Sequence, residues 1–155
     1  MTIRQIYISE DHNFYGRHNK PPRKNPMIEV SEAECVAGKG IIGDRFFDYK
    51  PDYKGQITFF SQEVYEDLCN TFKLVDVPPS VFRRNVIVDG VDLNELIGSE
   101  FELQGIRFLG TVEASPCYWM NGAVAEGAEE AMKGRGGLRA KILTSGTLRA
   151  KPPTE

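Results

Sequence analysis

The sequence predicts a mainly β fold with a few helices, closed or nearly closed into a β-barrel. Three observations carry that expectation. Glycine supplies 15 of the 155 residues, and short apolar runs lie between the glycines. Several of these runs alternate apolar and polar residues, as a half-buried strand requires. Only one segment has a strong helical repeat. Roughly six to nine short strands with two modest helices favour closure, because a closed sheet has no exposed edges. The length fits one domain, assigned to residues 1–150, with 151–155 as a C-terminal tail.

The first predicted strand covers residues 3–9. Residues 10–26 follow as a long loop holding Asn13, Gly16, Pro21, Pro22 and Pro26, and a basic cluster of Arg17, His18, Lys20, Arg23 and Lys24. Short strands are expected at 27–30 and 33–36. Residues 44–56 read as a polar and aromatic loop with Phe46, Phe47, Tyr49 and Tyr53, and 56–60 as a strong strand. Ser61 is placed to cap a helix, with Glu63 in its first turn. Val64, Leu68 and Phe72 give that helix one apolar face, and Pro78-Pro79 stops it. Residues 85–88 are β-branched. Residues 101–109 read as a hairpin turning at Gln104-Gly105. A second helix is expected at 123–133, weakened by Gly127 and ended by Gly134. Residues 138–148 supply one or two last strands.

The composition excludes several classes. Lys plus Arg total 19 against 22 Asp plus Glu, a net charge of −3. A mildly acidic chain does not suit general binding to nucleic acid or to a membrane surface. Cys35, Cys69 and Cys117 are irregularly spaced, which fits neither a disulfide framework nor a zinc knuckle. No apolar run follows a basic N-terminus, and none approaches the ~20 residues that span a bilayer. The expected location is the cytoplasm, with reduced thiols.

Three segments carry candidate chemistry. Cys117 follows Ala114-Ser115-Pro116 and precedes Tyr118-Trp119. A small, proline-bent and then aromatic chain presents the thiol at a pocket mouth, or buries it as a small hydrophobe. Cys35 and Cys69 read as core packing. Arg83-Arg84-Asn85 stands at a strand entrance. Strand alternation would send the two arginines to opposite faces, so at most one would face a given pocket. Either they make surface ion pairs, or one captures an anion. Gly134-Arg135-Gly136-Gly137-Leu138-Arg139 reads as a helix cap and turn, or as a close approach to a ligand. There is no P-loop, no dinucleotide fingerprint and no nucleophile elbow. His12 and His18 have no acidic neighbour at metal-ligand spacing.

Taken in order, these pieces resemble the MOSC family, the module named for the C-terminal part of molybdenum-cofactor sulfurases. The resemblance rests on Gly43-Asp44-Arg45, the strand and helix start at 56–63, and Arg83-Arg84-Asn85 with Val86-Ile87-Val88. It continues through Gly90-Val91-Asp92-Leu93, residues 98–101, Pro116-Cys117 and 134–139, and so covers roughly residues 28–148. The chain departs from the family where Phe46-Phe47-Asp48 follow Gly43-Asp44-Arg45, in place of His and small residues.

The resemblance implies a MOSC-type β-barrel of mixed strands that binds the molybdenum cofactor (molybdopterin). Cys117 matches the family cysteine that ligates the metal or carries sulfur as a persulfide. Arg45, Arg83, Arg84 and Arg135 are the motif cations for the cofactor's phosphate, and Asn85 a group for the pterin edge. The loop at 17–24 is expected to close over that phosphate. The larger proteins' pyridoxal-phosphate domain is lacking, so no lysine is assigned a Schiff base. Two active roles are implied. One is a molybdenum-dependent reductase of N-hydroxylated compounds, with a separate electron-donor protein. The other is a sulfur or cofactor carrier served by a sulfurtransferase. The non-enzymatic alternative is a binding module.

Overall fold

The computed structural model describes residues 1–10 and 26–151. Its centre is β5 (Ile57–Ser61), a run of Ile, Thr, Phe, Phe and Ser buried along its whole length. A strand reads this way when both faces of its sheet are covered. β5 lies inside a seven-stranded sheet of order β2-β1-β6-β5-β9-β8-β7. The other strands of that sheet are β1 (Thr2–Ile8), β2 (Ile28–Val30), β6 (Val86–Asp89), β7 (Glu100–Leu103), β8 (Ile106–Glu113) and β9 (Leu138–Ile142), and β5 lies between β6 and β9. Among the described strands only β5 and β6 pair in parallel. The crossover that parallel pairing requires carries α1 (Gln62–Thr71) and a single 3-10 turn at Pro79–Phe82. A second sheet has the order β10-β3-β4, from β3 (Glu32–Val36), β4 (Gly40–Ile41) and β10 (Gly146–Arg149).

The mainly β, mixed-strand expectation holds, but the sheet does not close into a barrel. Its outer strands β2 and β7 do not pair with one another. The small sheet covers the inner face instead. Ala33, Cys35, Ile41 and Leu148 join Ile3, Ile6, Ile57, Phe59, Val86, Phe108 and Leu138 in one core. Single backbone bonds tie the two sheets at Gly38 N–Ile142 O, Ala150 N–Ser31 O and Lys151 N–Ile3 O. The exposed edges stay short, three residues for β2 and four for β7, which limits edge-to-edge association.

The outer face of the sheet buries a second core. Tyr7, Phe60 and Ile87 point from the strands to meet Leu68, Phe82, Met120 and Met132. Local chemistry sets the covering elements. The Ser61 hydroxyl accepts from the Val64 amide at 3.2 Å and caps α1. The expected single helix at 123–133 is instead two, α2 (Trp119–Ala123) and α3 (Ala128–Met132). Gly127 between them has φ 90°, a left-handed conformation that no helix interior contains. The hairpin turns at Gln104-Gly105 as expected, both residues having positive φ. β4, two residues long, was too short to read from the sequence. Among the described residues no helix is long and apolar enough to cross a membrane.

Candidate functional site

Asp44 follows β4 in a turn and is buried. Its Oδ1 accepts from the Ser9 amide at 3.0 Å, Arg45 Nη1 at 3.1 Å and Asn85 Nδ2 at 3.3 Å, and its Oδ2 accepts from the Phe46 amide at 3.3 Å. Asn85 completes the network. Its Oδ1 accepts from the Thr58 amide and hydroxyl, and its Nδ2 donates to Tyr7 O. The Asn85 side chain is thus fully engaged in joining β1, β5 and the turn after β4. It is not among the residues that line the adjacent cavity, so the geometry gives it a supporting place.

The network holds Arg45 against a cavity of about 170 Å³. Arg83, Arg84, Arg139, Cys117 and Thr58 line the same cavity, with Phe46 and Tyr53 as an aromatic wall. These residues come from the turn after β4, β5, the entrance to β6, β9 and the segment before α2. The two adjacent arginines share this cavity, contrary to the alternation expected of a strand. Arg83 caps the 3-10 turn in the left-handed region (φ 57°, ψ 37°), and the strand begins only at Val86.

The four guanidinium groups differ in their partners. Arg45 pairs with Asp44, donates from Nη2 to Arg83 O at 2.9 Å and lies 4.9 Å from the Phe46 ring centre. Arg83 Nη2 donates to Ser9 Oγ at 3.3 Å. Arg84 donates to three carbonyls, Gly136 at 2.9 Å, Phe82 at 3.0 Å and Ala114 at 2.7 Å. Burial and, next, the neighbouring Arg45 lower Arg83 to about 10. Burial and then Arg139 lower Arg84 to about 10, against the favourable charges of Cys117 and Glu113. Burial lowers Arg45 as well, with Asp44 opposing. Arginine stays protonated at pH 7 with shifts of this size, so the cavity gathers positive charge that repels itself. That arrangement is suited to an anion.

Cys117 is half-buried and its carbonyl accepts from the Met120 amide at the start of α2. Its segment lies against Gly136-Gly137. A Cβ at Gly136 would stand 2.3 Å from Ala114 O, and one at Gly137 2.3 Å from Phe59 O. The glycine motif therefore serves close backbone packing. Arg135, the cation inside that motif, is not brought to the Cys117 cavity. It ion-pairs with Asp67 at 2.6 Å, donates to Ala131 O, and lines a separate cavity with Ser61 and Asn94. Cys35 is buried in the core as expected, and burial pushes its thiol up to about 12. Cys69 is half-buried on α1, beside Tyr65. The basic loop at 17–24 lies outside the described residues. Arg139 closes the 134–139 motif but is not among the cations that the resemblance assigns to the phosphate. The available signal was its place between Leu138 and Ala140, both buried on the opposite face of β9.

Fold and site together define a class, a mixed β module presenting one half-buried thiol in a cavity of arginines. The MOSC domain family matches residues 39–153, and the chain belongs to that family. The family is associated with molybdenum-cofactor binding. No curated protein matches the chain. Among solved structures it is similar to the YuaD protein from Bacillus subtilis, with a TM-score of 0.73 and 19% identity, covering 97% of this chain and 92% of that one. It is similar also to YiiM from Escherichia coli (TM-score 0.66, 18% identity, 97% of this chain and 67% of that one). YiiM from Geobacillus stearothermophilus gives 0.69 at 12% identity, over 96% and 70% of the two chains. At these identities the likeness concerns the fold.

Proposed function

We propose that the cavity binds the molybdenum cofactor, with Cys117 as its soft ligand and the arginine cluster holding its anionic groups. The observation that carries this reading is the convergence of Cys117 with Arg45, Arg83, Arg84 and Arg139 on one cavity. The donor chemistry fits the group. A thiolate suits a soft metal, and guanidinium suits a phosphate. The cavity is smaller than the ~300 Å³ at which pockets for whole cofactors begin, so the fit concerns the charged and soft parts, with the remainder outside. Among the described residues no three His, Cys, Asp or Glu side chains gather to hold a metal, so Cys117 would be the protein's contribution.

When bound, the group supplies two-electron chemistry at the metal. Around it, Arg84 keeps positive charge beside the sulfur, and Asp44 orients Arg45. The Phe46–Tyr53 pair, stacked with centroids 5.5 Å apart, shields one side from water. The finer reading is reduction of N-hydroxylated compounds with electrons from a separate donor protein. The half-exposed position of Cys117 favours a second reading, in which the thiolate takes the outer sulfur of a sulfurtransferase's persulfide and the donor leaves as a thiolate.

Protein purified from a cofactor-producing host tests both. Stoichiometric molybdenum and pterin, lost on Cys117→Ser without a change in melting temperature, support the first. A mass increase of one sulfur on Cys117 with no metal supports the second. Neither metal nor added sulfur refutes both.

A further inference from the structure

We propose that Arg139 is a ligand-contact residue, its guanidinium receiving an anionic oxygen group, a phosphate or a carboxylate, beside Cys117. This rests on reading the cavity as an anion site, and not on which anion the cavity takes.

Position is the first argument. β9 is an interior strand, paired with β5 and β8, and the Cα partners of Arg139 are Thr58 and Val112. Leu138, Ala140 and Ile142 point into the core, which directs Arg139 to the opposite face, where it lines the cavity with Thr58. The single proton of the Thr111 hydroxyl is shared between Lys54 O at 2.6 Å and Arg139 O at 2.9 Å. The aliphatic stem runs past Gly55. A Cβ there would stand 3.3 Å from Arg139 Cδ and 3.2 Å from Tyr53 Cε2. Backbone and stem are therefore held, and only the charged end remains to be used.

The second argument is the accounting of partners. Arg45 has Asp44 and a carbonyl, Arg84 has three carbonyls, and Arg83 has the Ser9 hydroxyl. Among the described residues Arg139 has no ion pair, and none accepts a hydrogen bond from its guanidinium. The contrast with Lys141 is direct. It lies two residues on along the same face and pairs with Asp52 at 2.8 Å. The strand neutralises one outward cation and leaves the other, which acts unfavourably on the half-buried Arg84. An anion between the two would relieve that repulsion and give Arg139 the bidentate partner its geometry suits.

The test uses cofactor-free protein, inorganic phosphate as the probe, and iodoacetamide labelling of Cys117 read by mass spectrometry. Sodium chloride at matched ionic strength is the control. Phosphate should slow labelling saturably in the wild type. Arg139→Gln should raise the half-protecting concentration by roughly tenfold or more, the loss expected of a charge-assisted contact. Arg139→Lys should restore part of the protection, and Lys141→Gln should behave as wild type. Absence of phosphate protection in the wild type, or equal protection in Arg139→Gln, overturns the proposal.

Molybdenum and pterin content separates the sources. If Arg139→Gln loses phosphate protection and cofactor together, the contact is to the cofactor's phosphate. If it keeps full cofactor content, the contact is to an anionic group of the substrate. A wild type that takes up no cofactor yet shows Arg139-dependent protection overturns the cofactor reading and supports the present one.

Discussion

Truncating Arg84 should damage the fold, whereas truncating its neighbour Arg83 should not. Arg84 is half-buried and donates to the carbonyls of Gly136, Phe82 and Ala114, which belong to three separate segments. Arg84→Ala leaves three acceptors without donors. At about 1 kcal/mol each, with partial hydration, the loss is about 3 kcal/mol. Removing a partly desolvated cation that Arg139 and Arg45 repel offsets part of this, and the emptied volume adds to it. The balance is about 2–4 kcal/mol, or a fall of roughly 6–12 °C in melting temperature for a domain of this size. Arg83→Ala removes a side chain that donates to the Ser9 hydroxyl at 3.3 Å and leaves intact the Arg83 carbonyl that Arg45 uses. It should shift the midpoint by no more than about 3 °C, the effect of roughly 1 kcal/mol. The assay is thermal unfolding of cofactor-free protein at pH 7, followed by far-ultraviolet circular dichroism. The two arginines are cations throughout, since about 10 lies well above that pH. If Arg84→Ala melts within 3 °C of wild type, or Arg83→Ala falls as far as Arg84→Ala, the assignment of structural and accessible roles is wrong.

Three further outcomes follow from the structure. Asp44→Asn breaks a buried pair with Arg45 and should lower stability by about 3–5 kcal/mol; an unchanged urea midpoint would count against the network described. At pH 8 iodoacetamide should modify Cys117 faster than Cys35 or Cys69, and equal rates would show that the cavity does not admit the reagent. Cys35 also carries a pH signature. Burial raises the folded thiol from its ordinary 9.0 to about 12, so the folded state holds an extra proton between those values. Its contribution to stability is complete below pH 9 and is lost as pH rises through that window, which chemical unfolding at pH 8 and pH 10 measures.

Features set by residues a few positions apart were legible in the sequence. Gln104-Gly105 turns the hairpin because both positions need positive φ, and Ser61 caps α1 because its hydroxyl reaches the amide three residues on. The buried strand at 57–61 and the arrangement of Cys117 after a proline were visible in the same way. Gly127 was recognised as a weak point, and its left-handed backbone turned one expected helix into two. The rest depended on partners far along the chain. Arg135 was drawn to Asp67, 68 positions away, and not to the cavity. Asn85 was absorbed by Thr58, Tyr7 and Asp44. A left-handed cap at Arg83 cancelled the alternation that would have parted it from Arg84. The second sheet filled the core and left the larger sheet open. Arg139 was set apart only by the absence of an acceptor near its guanidinium among the described residues. Local backbone preference acts over a turn or a strand and can be read from neighbours. The partner of a buried charge is chosen by which segments pack together, and packing is decided only when the whole chain has folded.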